Sequence, residues 1–215
     1  MKKILLTSLI GLTSLVYANV NAIVSIVPQK TFVEKIGGDK VNISLMVKPG
    51  NSPHTYEPKP SQMKDISKAD IYFTIDVEFE HNWLGKFKHQ NKSMIVKDMG
   101  VGISKIEIEE HSHHDDHDDH AKHDDHDDHD EHAKHDEHDD HHHEGKDPHI
   151  WTSPKNVKIM ATNIYNELVK LDAKNKAYYK TNLTAFLKEI EQTDSKIKNL
   201  FKNTPKHSKF MVFHP

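Results

Sequence analysis

The sequence is 215 residues long and carries a formal net charge of −4 at neutral pH, with 20 histidines and no cysteine. Without cysteine we expect no disulfide framework, no thiolate metal site and no lipoprotein anchor, which needs a cysteine at the cleavage point. All 29 basic residues are lysines, and without the bidentate guanidinium of arginine we expect no nucleic-acid partner.

The chain begins with Met1, Lys2 and Lys3, followed by an apolar run to Leu12, which is typical of a secretory signal peptide. Small residues favour cleavage after Ala18, with cleavage after Ala22 as the alternative. A permanent membrane anchor is the competing interpretation, but the run is shorter than the roughly 20 apolar residues that span a bilayer. An exported protein without an anchor is retained only by an outer membrane. We therefore expect a periplasmic monomer that does not insert stably into the membrane.

Strand and helix patterns alternate over residues 19–110, which we interpret as an N-terminal α/β domain. The patterns predict strands over residues 23–28, 41–47, 71–75 and 93–97. They predict helices over 29–36, from a cap at Ser61 to residue 69, and around 83–88, with Gly37 and Gly38 ending the first. Such alternation predicts βαβ units in a parallel sheet, whose ligands bind in the loops after the carboxyl ends of the strands.

Residues 111–144 differ sharply from the rest of the chain. They hold 15 acidic residues against two lysines, so they carry −13 of the net charge and leave +9 for the remainder. No side chain among them is apolar and larger than alanine, so nothing offsets the entropy of ordering the chain. We predict a disordered insert, in which residues 120–131 recur almost unchanged as 132–143.

After the insert the apolar period becomes helical. We assign residues 145–173 to the end of the N-terminal domain and 174–203 to a long interdomain helix, about 40 Å in length at roughly 1.5 Å per residue. The predicted apolar stripes are Val157, Met160, Ile164, Leu168 and Leu171 on the first helix, and Tyr179, Leu183, Phe186, Ile190, Ile197 and Phe201 on the second. An apolar strand then starts at Phe210, so residues 208–215 read as the first strand of a C-terminal domain that the sequence only begins.

Three histidines recur in similar loops outside the insert. His54 and His149 directly follow Pro53 and Pro148, and His214 follows the strand that starts at Phe210. Proline-flanked loops hold their backbones stiffly, which lowers the entropic cost of bringing imidazoles onto one ion. Three neutral imidazoles with one further oxygen ligand suit tetrahedral Zn²⁺.

The stretches Pro-His-Thr-Tyr-Glu-Pro at 53–58, Asp-Pro-His-Ile-Trp at 147–151 and Phe-Met-Val-Phe-His at 210–214 closely resemble the metal-binding solute-binding proteins of ABC importers, in their zinc branch. The resemblance implies two α/β domains bridged by a long helix, with the ion held between them. It implies His54, His149 and His214 as the ligands, where manganese members place a carboxylate third. It further implies zinc as the cargo, a membrane permease as the partner and no enzymatic activity.

The histidine-rich insert suggests accessory metal binding, because its imidazoles alternate with carboxylates that attract a dication. It could store zinc for the main site, sense zinc, or be a tolerated linker. The candidate accessory ligands are His111, His113, His114, His117, His120, His123, His126, His129, His132, His135, His138, His141, His142 and His143.

Two other functions stay open at this point. A three-histidine site with an open position also suits a zinc hydrolase, although we find no His-Glu-x-x-His helix or nucleophile motif. A periplasmic zinc buffer or adhesin that never meets a permease is the second. Glu57 is either a carboxylate near the ion or a surface residue before a proline. We expect His81, His89 and His207 in solvent, and we expect Tyr56, Trp83 and Trp151 to pack beside the site.

Overall fold

The computed structural model describes residues 19–107 and 146–209. The predicted signal peptide, insert, C-terminal strand and His214 lie outside these residues. The strands are β1 (Val20–Val24), β2 (Val41–Leu45), β3 (Ile71–Thr74) and β4 (Ile95–Asp98). The helices are α1 (Val27–Gly37), α2 (Pro60–Ile66), α3 (Glu78–Gln90), α4 (Pro154–Leu171) and α5 (Lys176–Leu200). Short 3₁₀ turns occupy Gly38–Lys40, Ile150–Thr152 and Ala173–Asn175.

The four strands form one parallel sheet in the order β2-β1-β3-β4, which confirms the predicted α/β class. Central strand β1 pairs on both sides, with Ala22 opposite Ile43 in β2 and Ile71 in β3. Every residue of β3 is buried, as expected for a parallel strand covered on both faces. Parallel pairing places the carboxyl ends of all four strands at one edge of the sheet, where the candidate site lies.

Helices α1, α4 and α5 pack against one another and carry much of the apolar core. The predicted stripe of α4 is buried at Val157, Met160, Ile164 and Leu168. The stripe of α5 is buried only as far as Ile190, while Ile197 is 39% and Phe201 64% exposed. The long helix is therefore confirmed, and its last turns lie beyond the packed part of the domain.

The predicted boundaries differ most from the structure at the first strand and at the second and third helices. The first strand is β1, which ends at Val24, because the Gln29 side chain accepts hydrogen bonds from the Ser25 and Ile26 amides and turns the chain into α1. Helix α2 starts at Pro60 and ends at Ile66, so Ser61 lies inside it and not at its cap.

The third predicted helix is longer than expected, since α3 begins at Glu78 and not near Trp83. Its first turn carries the acidic residues Glu78 and Glu80, and its last turn carries the basic residues Lys88 and His89. Both placements interact favourably with the helix dipole. Among the helices of residues 19–107 and 146–209, none has the length and apolar character to cross a bilayer.

Candidate metal centre

A cavity of about 380 Å³ opens at the carboxyl edge of the sheet. Four segments line it: residues 26–28 after β1, the loop after β2, the start of α3 and the segment before α4. Two of the predicted ligands, His54 and His149, are among its lining residues, although 95 positions separate them in the sequence. The fold therefore brings the first two histidine loops to one place, as the resemblance implied.

The loop that carries His54 is held at both ends by one buried side chain. Gln62, 4% exposed, donates hydrogen bonds to the carbonyls of Leu45 (3.0 Å) and Met46 (2.7 Å) where β2 ends. Its Oε1 accepts from the Lys59 amide at 2.9 Å and the Tyr56 hydroxyl at 2.8 Å. A loop of about a dozen residues thus has fixed ends while His54 lies at its middle.

The imidazole of His54 contacts a carboxylate from a different element. Its Nδ1 pairs with Oε2 of Glu78, the first residue of α3, which also lines the cavity. Both side chains are about half exposed, at 53% and 49%. The contact joins the β2 loop to the turn between β3 and α3.

That turn is organised by the buried carboxylate of Glu80, which is 3% exposed. Its oxygens accept hydrogen bonds from the amides of Ile75 (3.0 and 3.1 Å) and Asp76 (2.7 Å) and from the Ser25 hydroxyl. These bonds hold Asp76 in the left-handed region at φ 65°, a conformation that aspartate tolerates better than most residues. Burial raises the pKa of Glu80 to about 7, against the lowering effect of the Ser25 and backbone hydrogen bonds.

His149 is held by its own segment. Asp147 Oδ1 accepts from the His149 amide at 2.8 Å and lies 2.6 Å from the ring Nδ1, so one carboxylate oxygen fixes both backbone and side chain. Partial burial works to raise the pKa of Asp147, but the hydrogen bonds from His149 outweigh it and the pKa falls below its usual value. The Trp151 ring packs against the imidazole with centroids 5.0 Å apart.

The segment of His149 is tied to the chain that precedes the insert. Glu107 and Lys146 form an antiparallel bridge, and the Asp147 amide donates to the Ile106 carbonyl at 2.8 Å. The last residue described before the predicted insert and the first described after it are therefore paired, next to the Asp-Pro-His segment.

The remaining candidates have different outcomes. His214 and the fourteen histidines of the insert lie outside the described residues. Within residues 19–107 and 146–209, no three histidine or carboxylate side chains already form a metal-holding group. Glu57 is exposed and does not line the cavity, so Glu78 and not Glu57 is the carboxylate beside His54.

His81 is exposed as predicted, and its Nε2 also lies 3.0 Å from Asp76 Oδ1. One expectation about the aromatic neighbours needs correction. Trp151 does line the cavity, but Trp83 packs on Phe87 and Tyr56 on Phe79, and neither ring reaches the cavity wall. His89 and His207 are exposed as predicted.

Sequence reasoning missed Glu78 and gave Asp147 no role beyond its motif. The signal for Glu78 was its place directly after β3, at the strand edge where ligands bind. The signal for Asp147 was its spacing of two residues from His149, which suits a bond from a carboxylate back to the following ring.

Comparison with known proteins identifies relatives of this architecture. Residues 23–215 match the family model described as zinc-uptake complex component A, periplasmic. A crystal structure of ZnuA is 38% identical, with a TM-score of 0.71, and covers 92% of this chain and 64% of that chain. A zinc-bound ZnuA mutant lacking residues 138–173 of its own sequence is 37% identical over the same shares, with a TM-score of 0.72.

A manganese relative is also similar. The manganese ABC transporter substrate-binding lipoprotein scaA of Streptococcus gordonii is 30% identical over 203 residues, which are 90% of this chain and 54% of that protein. The chain thus spans about half the length of this lipoprotein. The names of these proteins describe uptake and binding components and no enzyme, in agreement with the prediction for this chain.

Proposed function

The chain belongs to the family of periplasmic zinc-uptake complex component A proteins, and on that premise we propose that it captures zinc in the periplasm for an ABC importer. The ion is cargo and undergoes no chemical change. Capture needs ligands that bind zinc tightly, and delivery needs a permease that opens the site and accepts the ion.

One observation carries this proposal: His54 and His149 line one cavity, and each has its Nδ1 on a carboxylate. An imidazole bonded in this way coordinates a metal through Nε2, with the tautomer and ring orientation already set. The rest of the cavity wall is mainly apolar and includes Ile26, Val27, Val47 and Val77. Apolar walls exclude water and strengthen the attraction between a dication and its ligands.

Zinc is favoured over manganese by the donor set. The third ligand of our proposal is His214, which gives three nitrogen donors. Imidazole suits zinc, while manganese sites use more carboxylate and carbonyl oxygen. The manganese protein scaA is 30% identical and ZnuA 38%, so the similarity alone leaves room for either ion. Direct competition between the two ions therefore belongs in the test.

The insert serves in this proposal as an accessory zinc store. Its fourteen histidines and 15 carboxylates offer many weak, exchangeable positions. It ends at Glu144, five residues before His149 in the sequence, and Glu107 and Lys146, which flank it, form an antiparallel bridge. Imidazoles with an unperturbed pKa of about 6.5 lose metal when protonated, so the store empties near pH 5.

Export is proposed through the signal peptide at residues 1–18, with cleavage after Ala18. Cleavage after Ala22 would remove Val20, Asn21 and Ala22 from the central strand of the sheet. Mass spectrometry of the exported protein distinguishes the two sites.

Zinc titration by calorimetry tests the proposal on the mature chain, with and without residues 111–144. We expect one tight site to survive removal of the insert and to disappear in His54→Ala and in His149→Ala. His89→Ala is the matched control, because His89 is exposed and does not line the cavity. A tenfold excess of manganese should not displace the bound zinc.

Loss of all binding on removal of the insert would instead indicate a periplasmic zinc buffer. Ester hydrolysis or carbon dioxide hydration that depends on both cavity histidines would indicate the hydrolase.

A further inference from the structure

Each cavity histidine contacts a carboxylate through the same ring nitrogen, although the two carboxylates come from unrelated parts of the fold. Glu78 reaches His54 from 24 residues away in the sequence, and Asp147 reaches His149 from two residues away. The same contact between a carboxylate and Nδ1 therefore occurs twice around one cavity, from two different parts of the fold.

We infer that Glu78 and Asp147 are positioning residues of the metal centre, which hold His54 and His149 as Nδ1–H tautomers so that both rings coordinate the ion through Nε2. The inference rests on the proposed function, since it assigns the residues that act through its two ligands. A carboxylate on Nδ1 also makes the imidazole a stronger donor to the metal.

The placement of Asp147 fits a role through His149 alone. Asp147 does not line the cavity, and its Oδ1 is already shared between the amide and the ring of His149. The His149 side chain is 29% exposed, so the pair is better shielded than the His54 pair at 53%. We therefore expect Asp147 to contribute more than Glu78 to metal affinity.

The position of Glu78 depends on contacts that hold the preceding turn. Glu78 directly follows the turn whose Ile75 and Asp76 amides donate to the buried Glu80 carboxylate. That turn is also tied by Asp76, which pairs with Lys105 Nζ and lies 3.0 Å from His81 Nε2. The start of α3 is thus fixed by contacts on both sides, which sets the direction from which Glu78 approaches His54.

The test combines zinc titration with nitrogen-15 NMR of the histidine rings at pH 8, where imidazole is ordinarily neutral. The full mature chain is used, and His54→Ala and His149→Ala identify the two ring signals by difference. We expect both rings to be Nδ1–H tautomers before zinc is added. Asp147→Ala should lose that tautomer at His149 and weaken zinc binding by about 10–100-fold.

Glu78→Ala should lose the tautomer at His54 and weaken binding by a factor nearer ~10, because its pair is more exposed. Asp147→Asn and Glu78→Gln should recover part of the affinity, since an amide oxygen still accepts from Nδ1–H. Glu57→Ala is the matched control, as Glu57 is exposed in the His54 loop and does not line the cavity.

Three results separate the two proposals. If His54→Ala and His149→Ala bind zinc normally, the proposed function is wrong. If they abolish the tight site while Glu78→Ala and Asp147→Ala change neither the tautomer nor the affinity of that site, only the positioning role is wrong. If Glu78→Ala matches the loss in His54→Ala with the His54 tautomer unchanged, Glu78 is a direct ligand and its positioning role is wrong.

Discussion

His54 and His149 line the same cavity, but the chain holds them in different ways. The His149 segment is almost self-sufficient, because Asp147 and Trp151 on either side of the histidine contact its ring. The His54 loop depends on distant elements, with its ends on Gln62 of α2 and its imidazole on Glu78 of α3.

The difference has a physical consequence for how each ligand responds to mutation. A locally held histidine keeps its geometry as long as its own turn is intact. A histidine held by tertiary contacts loses its position when any of several remote side chains is changed. We therefore expect the His54 loop to be more sensitive than the His149 segment to changes in remote side chains, while the His149 segment is most sensitive to loss of its own Asp147.

Gln62→Ala should produce the largest effect on the His54 loop. It removes four hydrogen bonds and leaves the Leu45 and Met46 carbonyls, the Lys59 amide and the Tyr56 hydroxyl without this partner. We expect the free energy of unfolding to fall by about 3 kcal/mol, measured by urea denaturation. Gln90→Ala is the control, because Gln90 is exposed and makes one bond to the Met63 carbonyl. Equal losses in the two variants would contradict the anchoring role of Gln62.

Glu80→Gln should change how stability depends on pH. The folded-state pKa of Glu80 is about 7 and its ordinary value is 4.5, so the folded state binds this proton more tightly than the unfolded state. Its contribution is present below pH 4.5 and is lost as the pH rises to about 7, by roughly 3 kcal/mol.

Urea denaturation at pH 5 and pH 8 measures that contribution as a difference between wild type and variant. We expect the wild type to lose more stability than Glu80→Gln between the two pH values, while Glu57→Gln follows the wild type. Parallel profiles for wild type and Glu80→Gln would show that burial of Glu80 does not perturb its ionisation.

Proline substitutions should give the smallest effects and compare the two loops directly. Pro53→Ala and Pro148→Ala each remove the fixed backbone φ angle of the residue directly before a cavity histidine. A loss of about 0.4–1 kcal/mol in preorganisation corresponds to roughly two- to fivefold weaker zinc binding. We expect the larger loss at Pro53, because Asp147 still fixes His149 locally. Pro205→Ala, exposed beyond α5, is the control, and a larger loss at Pro148 would reverse the comparison.

Local pattern was enough for much of the fold. The apolar runs gave the four strands, and the stripe of α4 matches its buried residues. The errors fell where a side-chain hydrogen bond or a proline determines the boundary, as with Gln29 in the first turn of α1 and Pro60 at the first position of α2. Such contacts do not change the periodic pattern of apolar residues from which the boundaries were predicted.

By itself, the sequence determined the α/β class, the long helix and the two described histidine loops, because periodicity and proline-flanked motifs are properties of short segments. The resemblance of the motifs implied that His54 and His149 converge, but only the tertiary structure decided which elements form their shared cavity and that Glu78, not Glu57, contacts His54. The two histidines meet because the crossovers of the parallel sheet bring strand ends that are remote in sequence to one edge. Which carboxylate meets which imidazole then depends on how the turn between β3 and α3 is fixed, here by the buried carboxylate of Glu80.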